Sequence, residues 1–141
     1  IDRSFPLSLF EGISRIPNVE LISLHKGEGE SQIDDINFTI TTLGADFDSG
    51  DDAFVDTAAV MMNCDLIITS DTAIAHLAGA LGRITWVALK HVPDWRWMLG
   101  RPDSPWYPKM SLYRQERRQN WTNVFARIER DLTNLILKGE V

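Results

Sequence analysis

The chain has 141 residues, 44% hydrophobic and 24% charged, the composition of one globular domain. At that length folding buries roughly 68–70% of the unfolded surface, enough for a real core. The net charge of −6 argues against nucleic acid as the main partner, since gripping a phosphate backbone needs a basic footprint. No run is long and apolar enough to span a membrane. The single cysteine, Cys64, leaves no intramolecular disulfide and suits a reducing compartment, so the expected location is cytoplasmic. Its neighbours Met61, Met62 and Leu66 mark it as a buried, unreactive thiol.

Ser4 followed by Pro6 reads as a helix start, and Leu7, Phe10, Ile13 and Ile16 recur at helical spacing until Pro17-Asn18. Residues 19–24 form a first expected strand, which leaves through the glycine-rich loop His25-Lys26-Gly27-Glu28-Gly29. The β-branched run 38–43 is a second strand, followed by an acidic loop with Asp46, Asp48, Asp51 and Asp52. That loop lacks the closing bidentate Glu of a calcium-binding EF-hand and reads as solvated. Residues 53–63 predict a helix with Val55, Ala59 and Met62 on its apolar face.

The segment DLIITSDTAIAHLAGALG, residues 65–82, carries the most functional information. Leu66-Ile67-Ile68 predicts a third strand buried on both faces. Asp71 is placed to cap a helix over residues 72–81, and Gly82 stands where a left-handed C-terminal residue belongs. A strand running straight into a helix N-terminus is a ready-made anion site, because free N–H groups and the positive end of the helix dipole point outward there. His76 follows Thr72 by one helical turn on the same side. Residues 84–89 predict a fourth strand, residues 90–109 a long loop rich in proline and tryptophan, and residues 110–113 a fifth strand. The terminal helix, 121–137, shows Val124, Ile128, Leu132, Leu135 and Ile136 on its apolar face.

This alternation predicts an α/β domain, a Rossmann-like parallel sheet of about five strands with helices on both faces. Ligands of such sheets bind beyond the carboxyl ends of the strands. The Lys26 loop, the turn after Leu43, the Asp71-Thr72 turn and the Lys90 loop all gather at that edge.

Each candidate there has a plain structural role beside its functional one. Asp71 caps a helix, or fixes a turn whose amides at Asp71, Thr72 and Ala73 hold a diphosphate; the two are compatible. The Thr72 hydroxyl caps, or donates to a phosphate oxygen. His76 is either a packed core histidine or a ligand-facing imidazole whose protonated form a phosphate would favour. Lys26 is a solvated lysine or a phosphate cation. Trp95 and Trp97 in PDWRW, with Trp106 and Tyr107 beyond, either staple the loop to the body or form a wall against a base or sugar. Arg114, Arg117 and Arg118 read as a small surface group.

The segment 65–82, the downstream WVALKHVPDWRWMLGRPDSPWYPKMSLYRQ and the Trp121 helix together resemble the C-terminal half of bacterial GT-B glycosyltransferases of the heptosyltransferase type, glycosyltransferase family nine. Similar modules are joined to tetratricopeptide repeats in large bacterial proteins. The similarity covers nearly the whole chain, specific over residues 56–115 and loose before. It implies a domain that binds a nucleotide-sugar donor. The family's Asp-Thr-Gly-x-x-His motif around the donor diphosphate is matched by Asp71, Thr72 and His76, and its phosphate-contacting lysine by Lys26. Ala73 stands where the motif has glycine, and its methyl group limits how closely a phosphate approaches the backbone.

The resemblance further implies no cofactor and no metal, the nucleotide-diphosphate sugar being a substrate. Ile1 is not a start methionine, so residues 1–141 are expected to be one donor-binding domain of a longer protein, truncated at its N-terminus. An N-terminal Rossmann-like domain holding the acceptor site and the catalytic base would complete it, and the fragment alone would bind nucleotide weakly and catalyse nothing. A competing expectation is a degenerate, non-catalytic GT-B-like module that serves as a scaffold or binds a partner; Ala73 and the tryptophans favour it.

Overall fold

The computed structural model describes residues 5–24, 36–42, 55–70, 72–90, 107, 109–117 and 120–139. In chain order these form a 3-10 turn (Leu7–Phe10), α1 (Glu11–Ser14), α2 (Val55–Met61), β1 (Ile67–Ser70), α3 (Ala73–Ala80), β2 (Thr85–Leu89), β3 (Met110–Arg114) and α4 (Trp121–Leu137). The strands make a three-stranded parallel sheet in the order β1-β2-β3, with Ile67 opposite Thr85 and Thr85 opposite Met110. The protein is therefore α/β, with three named strands among the described residues rather than the expected five.

The first two expected strands shrink to one parallel bridge. Ile22 pairs with Thr41, and the Ser23 N–H to Thr41 carbonyl and Thr41 N–H to Leu21 carbonyl bonds are both 2.9 Å. Thr39, Thr41 and Thr42 are exposed, as is Ile22. Strand preference in such sequences reflects packing on a neighbouring surface more than the backbone itself. A run that buries only alternate residues on one side has little apolar area to extend its ladder.

β2 is the centre of the molecule. All five of its residues are buried, and strand alternation sends them to opposite layers. Trp86 and Ala88 join Tyr113, Ile13, Ile16 and the inner face of α4, formed by Trp121, Val124, Phe125, Ile128 and Leu132. Val87 and Leu89 join Met110, Leu112 and Ala75 of α3 on the other side. Beside these, Ile67 of β1 packs with Met61 of α2 and Ala78 of α3. Helices thus cover both faces.

α4 keeps its expected bounds and buries Val124, Ile128 and Leu132 of its expected face, with Leu135 and Ile136 partly buried and Trp121 and Phe125 joining the inner side. Its start is capped by Asn120, whose Oδ1 accepts the Asn123 N–H at 3.3 Å. Phe5 and Phe10 pack on its first turns, with ring centroids 4.8 and 5.0 Å from that of Phe125. The helical spacing of Leu7, Phe10, Ile13 and Ile16 produces a 3-10 turn and one turn of α-helix, closed by Asn18 in the left-handed region at φ 68°.

α2 faces opposite to expectation. Val55, Ala59 and Met62 are exposed, while Thr57 and Met61 are buried. Apolar residues lie all round this seven-residue helix, so spacing alone does not choose a face. The long thioether of Met61, which fills the gap between Ile67 and Ala78, decides it.

Candidate functional site

The β1-to-α3 turn is built as the sequence suggests, shifted by one residue. Thr72 is the N-cap, in extended conformation at φ −139° and ψ 177°, and its carbonyl accepts the Ala75 N–H at 3.0 Å. Its hydroxyl makes no capping bond to the backbone; it lies 3.4 Å from Thr69 Oγ1, which donates to the Ser70 carbonyl at 3.2 Å. Both hydroxyls therefore belong to the turn at the carboxyl edge, and Thr72 and Ala73 are exposed there. Asp71, expected as the cap, lies outside the described residues, as do Lys26, Trp95 and Trp97.

At its far end α3 closes as expected. Gly82 sits at φ 70°, its N–H bonds the Gly79 carbonyl at 3.0 Å, and the Arg83 N–H bonds the Ala78 carbonyl at 3.1 Å. These are the paired bonds of a Schellman ending, and the left-handed backbone favours glycine at 82. The short stop turns the chain directly into β2, which holds α3 against the sheet and keeps its N-terminus at the carboxyl edge.

His76 is half-buried one turn into α3. Its Nδ1 lies 3.3 Å from the Tyr107 hydroxyl, and the two rings meet edge to face with centroids 5.9 Å apart. Tyr107 itself packs against the layer of Ala75, Val87, Leu89, Met110 and Leu112. Tyr107 fastens the chain ahead of β3 to α3. The structure thus brings Thr72 and Ala73 together at the edge and ties His76 to the chain entering β3.

Two further cations stand at the same edge. Lys90 follows the end of β2, and Arg114 ends β3 opposite Leu89. Arg114 is half-buried, not the surface residue its sequence context suggests. Burial pulls its ionisation below the usual guanidinium range, and Arg127 Nη2 donates to its carbonyl. Alternation along β3 puts Arg114 on the side of Met110 and Leu112, the α3 side. Gln115, buried just beyond, bonds its N–H to the Leu89 carbonyl at 2.9 Å. A strand-end register relation of this kind has no signature in local sequence.

A cleft of about 370 Å³ opens elsewhere, between α1 and the bridged segments, lined in part by Glu11, Arg15, Glu20 and Asn37 and by none of the residues at the α3 N-terminus. Cys64 is half-buried on the Met61 side; burial raises its thiol pKa, Asp65 raises it further, and Arg83 opposes both. The protonated thiol is a poor nucleophile. Among the described residues no three His, Cys, Asp or Glu side chains gather as metal ligands, and no helix is long and apolar enough to cross a membrane. Set beside known proteins, the chain matches no family model, no curated protein and no solved structure.

Proposed function

We propose that this chain is the donor-binding portion of a GT-B glycosyltransferase of the heptosyltransferase type, working in the cytoplasm beside an N-terminal Rossmann-like domain and, in its parent, tetratricopeptide repeats. The observation that carries the reading is the β1-to-α3 turn: exposed Thr72 and Ala73 open a helix at the carboxyl edge of a parallel sheet, with Lys90 and Arg114 at the neighbouring strand ends. In the intact enzyme a sugar passes from a nucleoside diphosphate to an acceptor hydroxyl. The amides at Asp71, Thr72 and Ala73, with Lys26 and His76, stabilise the negative charge growing on the departing diphosphate. Trp95 and Trp97 form a wall against the base or sugar. The base that activates the acceptor belongs to the partner domain.

The second reading, a non-catalytic scaffold, draws support from the Tyr107 contact to His76 and from the Ala73 methyl group. Titration with UDP, ADP and GDP, followed by NMR, separates the two. The donor reading expects one of them to shift the Thr72, Ala73 and His76 signals with a dissociation constant on the order of 1 mM. No shift at these residues at millimolar nucleotide would leave the scaffold reading.

A further inference from the structure

The cleft of about 370 Å³ between α1 and the bridged segments lies within the size range of small-molecule sites and shares no residue with the α3 turn. Its two walls carry opposite charges. Arg15, at the end of α1, stands on one, and Glu20, leading into the Ile22–Thr41 bridge, stands on the other. A neighbour fixes each of them. Glu11 Oε1 accepts from Arg15 Nη2 at 2.6 Å, and Glu20 Oε1 accepts from the Thr41 hydroxyl at 3.0 Å. Arg15 thus pairs one helical turn back along its own wall rather than across the cleft with Glu20. Both groups keep bonding capacity, since a guanidinium has several N–H donors and a carboxylate several acceptor sites. Val19, Leu21 and Phe38 make the rest of the lining partly apolar, the first two packed on the α4-side core.

We propose that this cleft binds a free α-amino acid with an apolar side chain. Arg15 takes its carboxylate, Glu20 its ammonium, and the surface of Val19, Leu21 and Phe38 its side chain. The planar guanidinium fork matches a carboxylate, and a carboxylate attracts an ammonium at contact distance. The sign pattern selects against singly charged ligands. A phosphate or other anion gains Arg15 but meets Glu11 and Glu20. A plain cation gains Glu20 but meets Arg15. A ligand with both signs on one short frame satisfies both walls and adds no net charge. The site is independent of the donor reading, because none of its residues belongs to the α3 turn.

Titrations of the native chain with leucine, valine, methionine and phenylalanine, followed by amide NMR, test this. One of them should shift the Arg15, Glu20, Asn37 and Thr41 signals with a dissociation constant on the order of 1 mM. Its N-acetyl derivative lacks the ammonium and its amide lacks the carboxylate. Each should bind about three- to tenfold more weakly, the worth of one charged contact at an exposed site. Glu20→Gln should weaken the amino acid and its amide while leaving the N-acetyl derivative unchanged. Arg15→Gln should weaken the amino acid and its N-acetyl derivative while leaving the amide unchanged. Both side chains are exposed, so both variants should fold as the native chain does. The proposal is overturned by an absence of shifts at these residues with tens of millimolar of every amino acid named. Derivatives that bind as tightly as the parent, or variants that weaken both derivatives alike, also overturn it.

Discussion

Tyr113 shows how much a single hydroxyl contributes inside this fold. Its ring is buried against Trp86 in the α4-side core, and its hydroxyl donates to Asp131 Oδ2 at 2.8 Å. Burial, then the bond to Asp131 and that carboxylate's charge, push its ionisation well above the ordinary value of 10.0, with Arg130 and Arg127 pulling the other way. Below pH 10 the phenol is protonated in both folded and unfolded chains, and its contribution to stability is whole. As pH rises past 10 the unfolded chain ionises first, so that contribution shrinks. Tyr113→Phe should cost about 1 kcal/mol near neutral pH, less than a fully buried charged bond because Asp131 is partly solvated. Urea melts should show the gap between native and variant constant below about pH 9 and narrowing as pH rises above about 10; a gap that stays constant there would refute the assignment. Of the candidate site, what is legible in sequence is what is local. The polar break after Ile68 and the small-residue helix announce the turn at Thr72 and Ala73, off by one at the cap. The Tyr107 brace joins residues 31 apart, and no pattern in the chain announces it.

At the scale of elements, the contrast between α4 and α2 is instructive. α4 runs for 17 residues with all its large apolar side chains but the terminal Leu137 on one stripe, and its buried face includes Val124, Ile128 and Leu132 as its spacing predicts. α2 has 7 residues with apolar groups on every side, so the cavity it meets selects the face. The adjacent methionines test this directly. Met61→Ala should cost about 2–4 kcal/mol by leaving a hole between Ile67 and Ala78. Met62→Ala should fall within about 0.5 kcal/mol of the native chain, as exposed substitutions do. Equilibrium unfolding of the two variants is the measurement, and equal costs would mean that α2 is rotated from the position described. The shortened early strands have a related cause. The threonines of the second, Thr39, Thr41 and Thr42, suit a strand but face water, and among the described residues the two runs meet at the Ile22–Thr41 bridge.

Taken whole, the molecule is two apolar layers divided by one sheet, and β2 belongs to both. That division is readable in the chain because ITWVAL is apolar but for Thr85, the mark of a strand covered on both sides. How the early segments join it depends on neighbours distant in sequence and is not. The opposed orientation of Met61 and Met62 has a chemical consequence. Peroxide attacks a thioether according to its exposure, converting it to the polar sulfoxide. Met62, 51% exposed, should be oxidised in the native protein well before Met61, with no loss of fold. Met61 and Met110, 0% and 2% exposed, should react only when the α3-side layer opens, and then irreversibly for folding, since a sulfoxide has no place in either pocket. Tandem mass spectrometry over a peroxide time course would resolve the two neighbours. One residue of chain thus separates a sacrificial surface site from an internal clock of unfolding.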